Sequence, residues 1–120
     1  MNIQLYTING ITLALIESND LVIQEVQDAV ELLANCAYQG ASRIIIHSEN
    51  LHPAFFDLKT GLAGDILQKF STYQSQLAIV GDFSNLTSKS LRDFIYESNK
   101  RGDILFVMSQ AEAEARWSIH

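Results

Sequence analysis

Histidine and carboxylate side chains occur just after two apolar, strand-like runs of the sequence. His47 ends the first run, Asp57 lies in the segment that follows, and Asp82 comes shortly after the second run. Imidazole and carboxylate groups that meet at one edge of a sheet can bind a metal ion or act as a general acid–base pair. Their spacing matches no His-Glu-x-x-His motif or comparable ligand pattern, so we predict no metal site. One hypothesis is therefore a small-molecule-binding or hydrolytic protein that uses these three side chains.

Hydroxyl side chains at predicted helix starts form a second group of candidates. Thr60 precedes Gly61 at the start of one helical pattern, and Ser84 and Ser88 precede another. Helix capping alone accounts for such residues, but a hydroxyl there can also accept a phosphoryl group or help to hold an anion. We predict a phosphorylation switch or anion site at Thr60 and Gly61. The surface predicted to bind a ligand or partner comprises His47, Asp57, Asp82, Ser84 and Ser88.

The sequence contains no motif that fixes a catalytic residue. A Gly-x-Ser-x-Gly elbow, a Walker A lysine motif and a dinucleotide-type glycine pattern are all missing. The single cysteine, Cys36, lies on an apolar helical stripe without a neighbouring cation, which predicts a buried hydrophobic side chain rather than a nucleophile. We therefore predict no catalytic residue and no cofactor, and we favour a non-enzymatic protein over an enzyme.

The elements that must position these residues begin with a hairpin. Two apolar runs, residues 3–8 and 11–16, flank Asn9-Gly10, the dipeptide that favours a type I′ turn because both of its residues tolerate positive φ. Further runs over residues 43–47, 76–80 and 103–108 predict three more strands. Five strands are therefore expected.

Apolar residues at helical spacing predict helices between these strands. The first helix is expected to open at Ser18-Asn19-Asp20, the second is expected to have Thr60 as its N-cap, and the third starts near Ser88. A capping box of Ser109 and Glu112 precedes a last short helix. The order ββαβαβαβα predicts a single α/β domain over residues 1–120, with a mixed, mostly parallel five-stranded sheet and helices packed against it.

The charge balance limits the classes of partner. The chain has 8 Lys and Arg residues against 14 Asp and Glu residues, a formal net charge of -6. This total argues against an overall electrostatic grip on nucleic acid or on an anionic membrane. Residues 1–58 hold seven acidic side chains and one basic one, whereas residues 59–101 are mildly basic. A nucleic-acid contact remains a third, less favoured hypothesis, through Lys89, Arg92, Lys100 and Arg101.

The beginning of the chain and its apolar runs bear on its location. No basic segment followed by an apolar core opens the sequence, and no apolar run is long enough to span a membrane. We therefore predict a cytoplasmic protein with no membrane contact. Its partner is expected to be another protein, with a small anionic ligand as an alternative, and its oligomeric state is left open.

Three stretches of the sequence carry a resemblance to a known family. Residues Phe55–Phe70, Leu77–Phe83 and Ser88–Glu97, together with the Asn-Gly hairpin, resemble an uncharacterised bacterial family, the domain of unknown function 4180. This likeness covers essentially the whole chain. Because that family has no assigned activity, the resemblance implies a fold and a relationship but no reaction.

The order of elements also resembles the SpoIIAA-like fold of STAS domains, the sulfate transporter and anti-sigma factor antagonist domains. Those domains begin with a hairpin and place a phosphorylatable Ser or Thr, followed by Gly and an aliphatic residue, at the helix after the third strand. Thr60-Gly61-Leu62 occupies that place here, although Lys59 stands where a second hydroxyl residue is usual. The resemblance implies a STAS-like regulatory or protein-interaction module that is regulated by phosphorylation.

Overall fold

Five strands form one mixed sheet in a computed structural model, which describes residues 1–118. Their order in the sheet follows their order in the chain. The first strand is antiparallel to the second, and each later strand is parallel to its predecessor. The strands are β1 (Asn2–Ile8), β2 (Ile11–Glu17), β3 (Arg43–His47), β4 (Gln76–Val80) and β5 (Ile104–Val107). The predicted α/β class, the N-terminal hairpin and the mixed, mostly parallel sheet are therefore confirmed.

Within the described residues, four α-helices and three short 3₁₀ helices connect and follow the strands. The α-helices are α1 (Val26–Tyr38), α2 (Leu62–Thr72), α3 (Lys89–Arg101) and α4 (Gln110–Ser118). The 3₁₀ helices, Ser48–Asn50, Pro53–Phe56 and Leu58–Thr60, all lie between β3 and α2. No helix within residues 1–118 is long and apolar enough to cross a membrane.

The two faces of the sheet carry separate hydrophobic clusters. The larger cluster joins alternate strand residues, such as Ile44 and Ile46, to the buried faces of α1 and α2. The neighbouring residue Ile45 faces the opposite way and packs in a smaller cluster with Trp117 of α4. Successive strand side chains point to opposite faces, which explains this division. Because both faces are covered, β3 and β4 are almost wholly apolar.

The hairpin and the last helix meet on the smaller face. Asn9 and Gly10 have φ values of 51° and 79°, the positive values that a type I′ turn requires. From β1, the Tyr6 hydroxyl donates to Glu114 Oε2 at 2.6 Å, and Gln110 Nε2 donates to the same hydroxyl oxygen at 3.0 Å. Burial, together with the hydrogen bond to the Glu114 carboxylate, raises the pKa of Tyr6 to about 12. This network attaches α4 to the first strand.

The predicted start of the first helix is wrong. The helix begins at Val26 and not after Asp20, and Asp28 Oδ2 accepts from the Glu25 amide at 3.2 Å in a capping box. The apolar residues before it pair elsewhere, because the Val22 amide donates to the Asn50 carbonyl at 2.7 Å. The contacts of this segment with the distant loop at Asn50 therefore override the helical spacing of its apolar residues.

Charged residues are sorted between the two ends of the sheet. Because β2 to β5 are parallel, the helices that follow them begin at the carboxyl end of the sheet and finish at its amino end. The acidic residues of the first helical turns are Asp28, Asp65 and Glu112, and the basic residues of the last turns are Lys69, Lys100, Arg101 and Arg116. Each set complements the helix dipole. Acidic side chains therefore occur in the first turns of α1, α2 and α4 and basic ones in the last turns of α2, α3 and α4, whereas α3 begins with Lys89.

Candidate functional site

The segments that follow β3 and β4 pack against each other at the carboxyl end of the sheet, where ligands of α/β folds bind. We call the residues 47–60 and 81–88 the carboxyl-end surface. A Cβ atom on Gly81 would lie 2.6 Å from Ser48 Oγ and 3.0 Å from Phe83 Cζ. Only glycine therefore allows the two segments to approach this closely at the end of β4.

A buried asparagine holds the first of these segments in place. Asn50 is 1% exposed, and its Nδ2 donates to the carbonyl oxygens of Ser18 and Asp20, both at 2.9 Å. Its Oδ1 accepts from the His47 amide at 3.3 Å. Sequence reasoning missed this residue, since a lone asparagine in a polar loop carries no signal of burial. Asn50 links the segment that follows β2 to the end of β3 and so supports the carboxyl-end surface.

Aromatic side chains form the apolar centre of the carboxyl-end surface. Phe55 is buried, while Phe56 and Phe83 are partly exposed. The ring centroids of Phe55 and Phe56 are 5.1 Å apart, and those of Phe83 and Phe106 are 5.3 Å apart, both in edge-to-face geometry. These contacts fix the orientation of the exposed rings by anchoring them to β5 and the core.

Two shallow depressions lie on either side of Phe56. The smaller has a volume of ≈ 230 Å³ and is also lined by Ser48, Glu49, Asp82, Phe83 and Leu86. The larger has a volume of ≈ 480 Å³ and is also lined by Asp57, Leu58, Lys59, Ser88 and Ser90. Both are open to solvent, so this end of the molecule is a contoured surface and not an enclosed cavity.

The carboxylates predicted as functional make local hydrogen bonds. Asp82 Oδ1 accepts from the Ser84 hydroxyl at 2.6 Å and from the Ser84 amide at 3.0 Å. These two bonds, the hydroxyl first, hold the pKa of Asp82 below its usual range. Asp57 Oδ1 accepts from the Lys59 amide at 3.2 Å and so caps a 3₁₀ helix. Each carboxylate thus stabilises a turn.

The predicted histidine and carboxylates do not share a cavity. Asp57 lines the larger depression, Asp82 lines the smaller one, and His47 lines neither. Within residues 1–118, no group of three or more His, Cys, Asp or Glu side chains is arranged to hold a metal ion. Cys36 is wholly buried, and burial raises the pKa of its thiol to about 11.

Thr60 does not cap α2 as predicted. Thr60 is the last residue of the preceding 3₁₀ helix. The N-cap residue of α2 is Gly61, which has a φ of 78° and no side chain that could accept a hydrogen bond. Thr60 Oγ1 accepts from the Leu62 amide at 3.2 Å and lies 2.7 Å from the Ala54 carbonyl oxygen. Its exposed hydroxyl therefore bridges the loop to the first turn of α2. Gly61 adopts the left-handed conformation that this sharp entry requires.

The two predicted serines occupy the second segment. The third helix starts near Ser88 as predicted, and Ser88 is its N-cap, with Oγ accepting from the Leu91 amide at 3.2 Å. Ser84 is the donor to Asp82 described above. Both residues are exposed, and Ser88 lines the larger depression.

The four cations proposed for nucleic-acid contact fall at opposite ends of α3. Lys89 and Arg92 lie in its first turn, where Lys89 Nζ pairs with Asp93 Oδ2 at 2.8 Å and Arg92 Nη1 donates to the Leu86 carbonyl at 2.8 Å. Lys100 and Arg101 lie in the last turn. The helix separates the pairs by about 16 Å along its axis, so they do not form one continuous basic surface.

No curated protein matches the chain. A solved structure described as an anti-sigma factor antagonist from Thermotoga maritima is similar in structure, with 12% identity, a TM-score of 0.49, and coverage of 95% of this chain and 92% of that chain. The model of the family described as domain of unknown function, DUF4180, matches residues 8–117. The chain therefore belongs to the DUF4180 family.

Proposed function

We propose that this chain is a cytoplasmic, single-domain, non-enzymatic protein-interaction module that binds a partner protein through the carboxyl-end surface. The observation that carries the proposal is the composition of that surface, in which a partly exposed apolar centre of Phe56, Phe83 and Leu86 is bordered by carboxylates. Protein-binding surfaces commonly combine an apolar, aromatic centre with a polar rim. The shallow, open shape also suits a protein partner better than an enclosed substrate.

The charge of the surface defines the chemistry of the partner. Glu49, Asp57 and Asp82 are exposed around the apolar centre against one exposed cation of that surface, Lys59, and the pKa of Asp82 is held below its usual range. Because complementary charge steers association and fixes register, the partner is expected to present an apolar anchor flanked by Lys or Arg side chains. A partner with an acidic binding surface is not compatible with this proposal.

Thr60 is proposed as the site at which this interaction is regulated. The side chain is exposed at the border of the surface, and it precedes a helix whose N-cap, Gly61, makes no side-chain bond. The first amides of a helix lack intrahelical acceptors and favour a negative charge. A phosphate on Thr60 would add roughly -1.5 to -2 charge there at neutral pH. That charge would strengthen the attraction of the surface for a basic partner.

The docking proposal is tested with a charge placed at the apolar centre. Leu86→Asp is compared with wild type and with Tyr38→Asp, a matched control at an exposed residue at the other end of the molecule, where Tyr38 is 92% exposed. A partner captured from native cells is then purified, and its Kd is measured for all three proteins. We expect Leu86→Asp to weaken binding by about tenfold or more, with the control unchanged. Equal binding by all three proteins, or no captured partner, contradicts the proposal.

The regulatory proposal is tested separately with charge at Thr60. Thr60→Glu is compared with Thr72→Glu, which introduces the same charge at the other end of α2. Only the first is expected to tighten binding of the purified partner, by about fivefold. Mass spectrometry of the protein from its native cells should detect phosphothreonine at residue 60. If the residue is never modified and Thr60→Glu binds as wild type does, the switch is ruled out while the docking surface can still stand.

A further inference from the structure

A basic cavity of ≈ 370 Å³ lies at the amino end of the sheet, opposite the carboxyl-end surface. Four cationic side chains line it, half of the 8 that the chain contains. They come from β3, the last turn of α3 and α4, and among residues 1–118 no Asp or Glu lines the cavity with them. The four are Arg43, Lys100, Arg101 and Arg116. Arg43 is partly buried, and the other three are exposed to solvent.

Most of that positive charge is not neutralised within the described chain. Arg101 lies 3.6 Å from Asp103, whereas no ion pair joins Arg43, Lys100 or Arg116 to a carboxylate within residues 1–118. Lys100 Nζ instead lies over the ring of Tyr96, at 5.3 Å from its centroid. Like charges gathered in one cavity repel, and a bound anion removes that cost.

Hydrogen bonds hold the two guanidinium groups in place and leave them with free donors. Arg43 Nε donates to Gln76 Oε1 at 2.8 Å, and Arg116 Nη2 donates to the Asn99 carbonyl at 2.7 Å. A guanidinium has five N–H donors in a planar fork, so each retains several for a ligand. Two such groups, on separate elements, line the same cavity, and guanidinium forks are suited to binding an oxyanion.

The tryptophan that lines the same cavity has a buried indole N–H. Trp117 lines the cavity, is 4% exposed, and its Nε1 is buried with no hydrogen-bond acceptor among the residues that the structure describes. A buried N–H without a partner is costly, and indole N–H groups usually find an acceptor. The Trp117 side chain also lines a second depression, with Ile8 and Leu13, and its Nε1 lies below the surface of both, so Trp117 serves here as a reporter beside the cavity and not as a ligand-binding donor.

We propose that this cavity binds a small molecule that carries a phosphate monoester. Planar guanidinium forks match the oxygens of a phosphate, and the volume of ≈ 370 Å³ is that of a small-ligand site. A nucleic-acid chain is a poorer fit, because Lys89 and Arg92 lie at the opposite end of α3 and do not extend the basic surface. This site is separate from the surface of the proposed function and does not depend on it.

The only tryptophan of the chain provides a direct readout. Emission of Trp117 is titrated with glucose 6-phosphate, orthophosphate and glucose, with sodium chloride at matched ionic strength. We expect a saturable change with glucose 6-phosphate and none with glucose or chloride. Binding of glucose 6-phosphate and orthophosphate with equal affinity would identify free phosphate as the ligand, whereas tighter binding of the ester would show that the organic part is also recognised. No saturable change with either phosphate overturns the proposal.

Two double variants of α3 distinguish a site from general electrostatic attraction. Lys100→Gln with Arg101→Gln removes two charges at the cavity, and Lys89→Gln with Arg92→Gln removes the same charge from the other end of the helix. The first is expected to weaken phosphate binding by about tenfold or more, and the second to leave it unchanged, with both folded by circular dichroism. Equal weakening by the two variants contradicts the proposal. Self-association that only the first variant abolishes would assign the basic cavity to a second copy of the chain instead.

Discussion

Replacement of Asn50 by alanine tests whether one buried side chain supports the carboxyl-end surface. The side chain forms three hydrogen bonds to the backbone, two from Nδ2 to the carbonyl oxygens of Ser18 and Asp20 and one to Oδ1 from the His47 amide. Each is expected to contribute about 1 kcal/mol net, so Asn50→Ala should lower the free energy of unfolding by about 3 kcal/mol. The Asn50 carbonyl, which accepts from Val22, is unaffected and limits the loss.

This loss in the free energy of unfolding corresponds to a decrease in the melting temperature, Tm. An unfolding entropy of about 2.1 cal/mol/K per residue amounts to roughly 0.25 kcal/mol/K for this chain, so the expected decrease in Tm is about 12 °C. Thermal and urea denaturation followed by circular dichroism measure both quantities. Asn19→Ala, at an exposed residue of the loop that Asn50 holds, is the matched control and should change stability by less than about 0.5 kcal/mol. Equal stability of the two variants would refute the reasoning.

Three further predictions concern titratable groups. The pKa of Tyr6 is raised to about 12 chiefly by burial, so its contribution to stability is complete below about pH 10 and is lost as the pH rises through about 12. Tyr6→Phe should remove one late-titrating phenol from the ultraviolet titration, and an unchanged titration at high pH would contradict this. Ser84→Ala should raise the pKa of Asp82, because the bond from the Ser84 hydroxyl is the first cause of its lowering; carbon NMR of the carboxyl group across acidic pH measures this, and an unchanged midpoint would contradict it. Burial raises the pKa of the Cys36 thiol to about 11. Cys36 should therefore resist a thiol reagent at pH 8 in the native protein and react rapidly in urea. Equal reaction rates in the two conditions would show that the thiol is accessible in the native protein.

The elements that the sequence predicted best are those specified by local patterns. Strands β3 and β4 have the predicted bounds, because a short β-branched or apolar run with both faces covered has no competing helical period. The Asn-Gly turn and the start of α3 near Ser88 were also predicted, since each depends on residues within one turn of chain. Local signals are sufficient where the interactions themselves are local.

The errors arose where distant segments decide the local structure. Val22 lies at helical spacing from Val26, but its amide pairs with Asn50 and the helix starts four residues later. Thr60 is a good N-cap residue, yet its hydroxyl is used across the loop to Ala54 and the cap position passes to Gly61. No sequence pattern reports such contacts, because they depend on how the 3₁₀ helices fold back on each other.

The sequence alone could not predict which side chains lie together at the two ends of the sheet, because those side chains come from segments that are distant in the chain. Arg43 and Arg116 are far apart in the chain and meet only because β3 begins, and α4 finishes, at the same end of the sheet. At the carboxyl end, His47, Asp57 and Asp82 follow neighbouring strands as expected. The two carboxylates hydrogen-bond to nearby backbone groups, and the three side chains line no common depression.

The order of the strands has a consequence for how the chain folds during synthesis. Each strand pairs with the strand that precedes it in the sequence, so the face covered by α1, α2 and α3 can be completed in the order in which the chain leaves the ribosome. The other face is completed last, because the hydrogen bond from Tyr6 requires Glu114, which lies 108 residues later in the chain. Until α4 is made, a nascent chain exposes the apolar residues of that face, and this interval is when a chaperone or a neighbouring chain can compete for them.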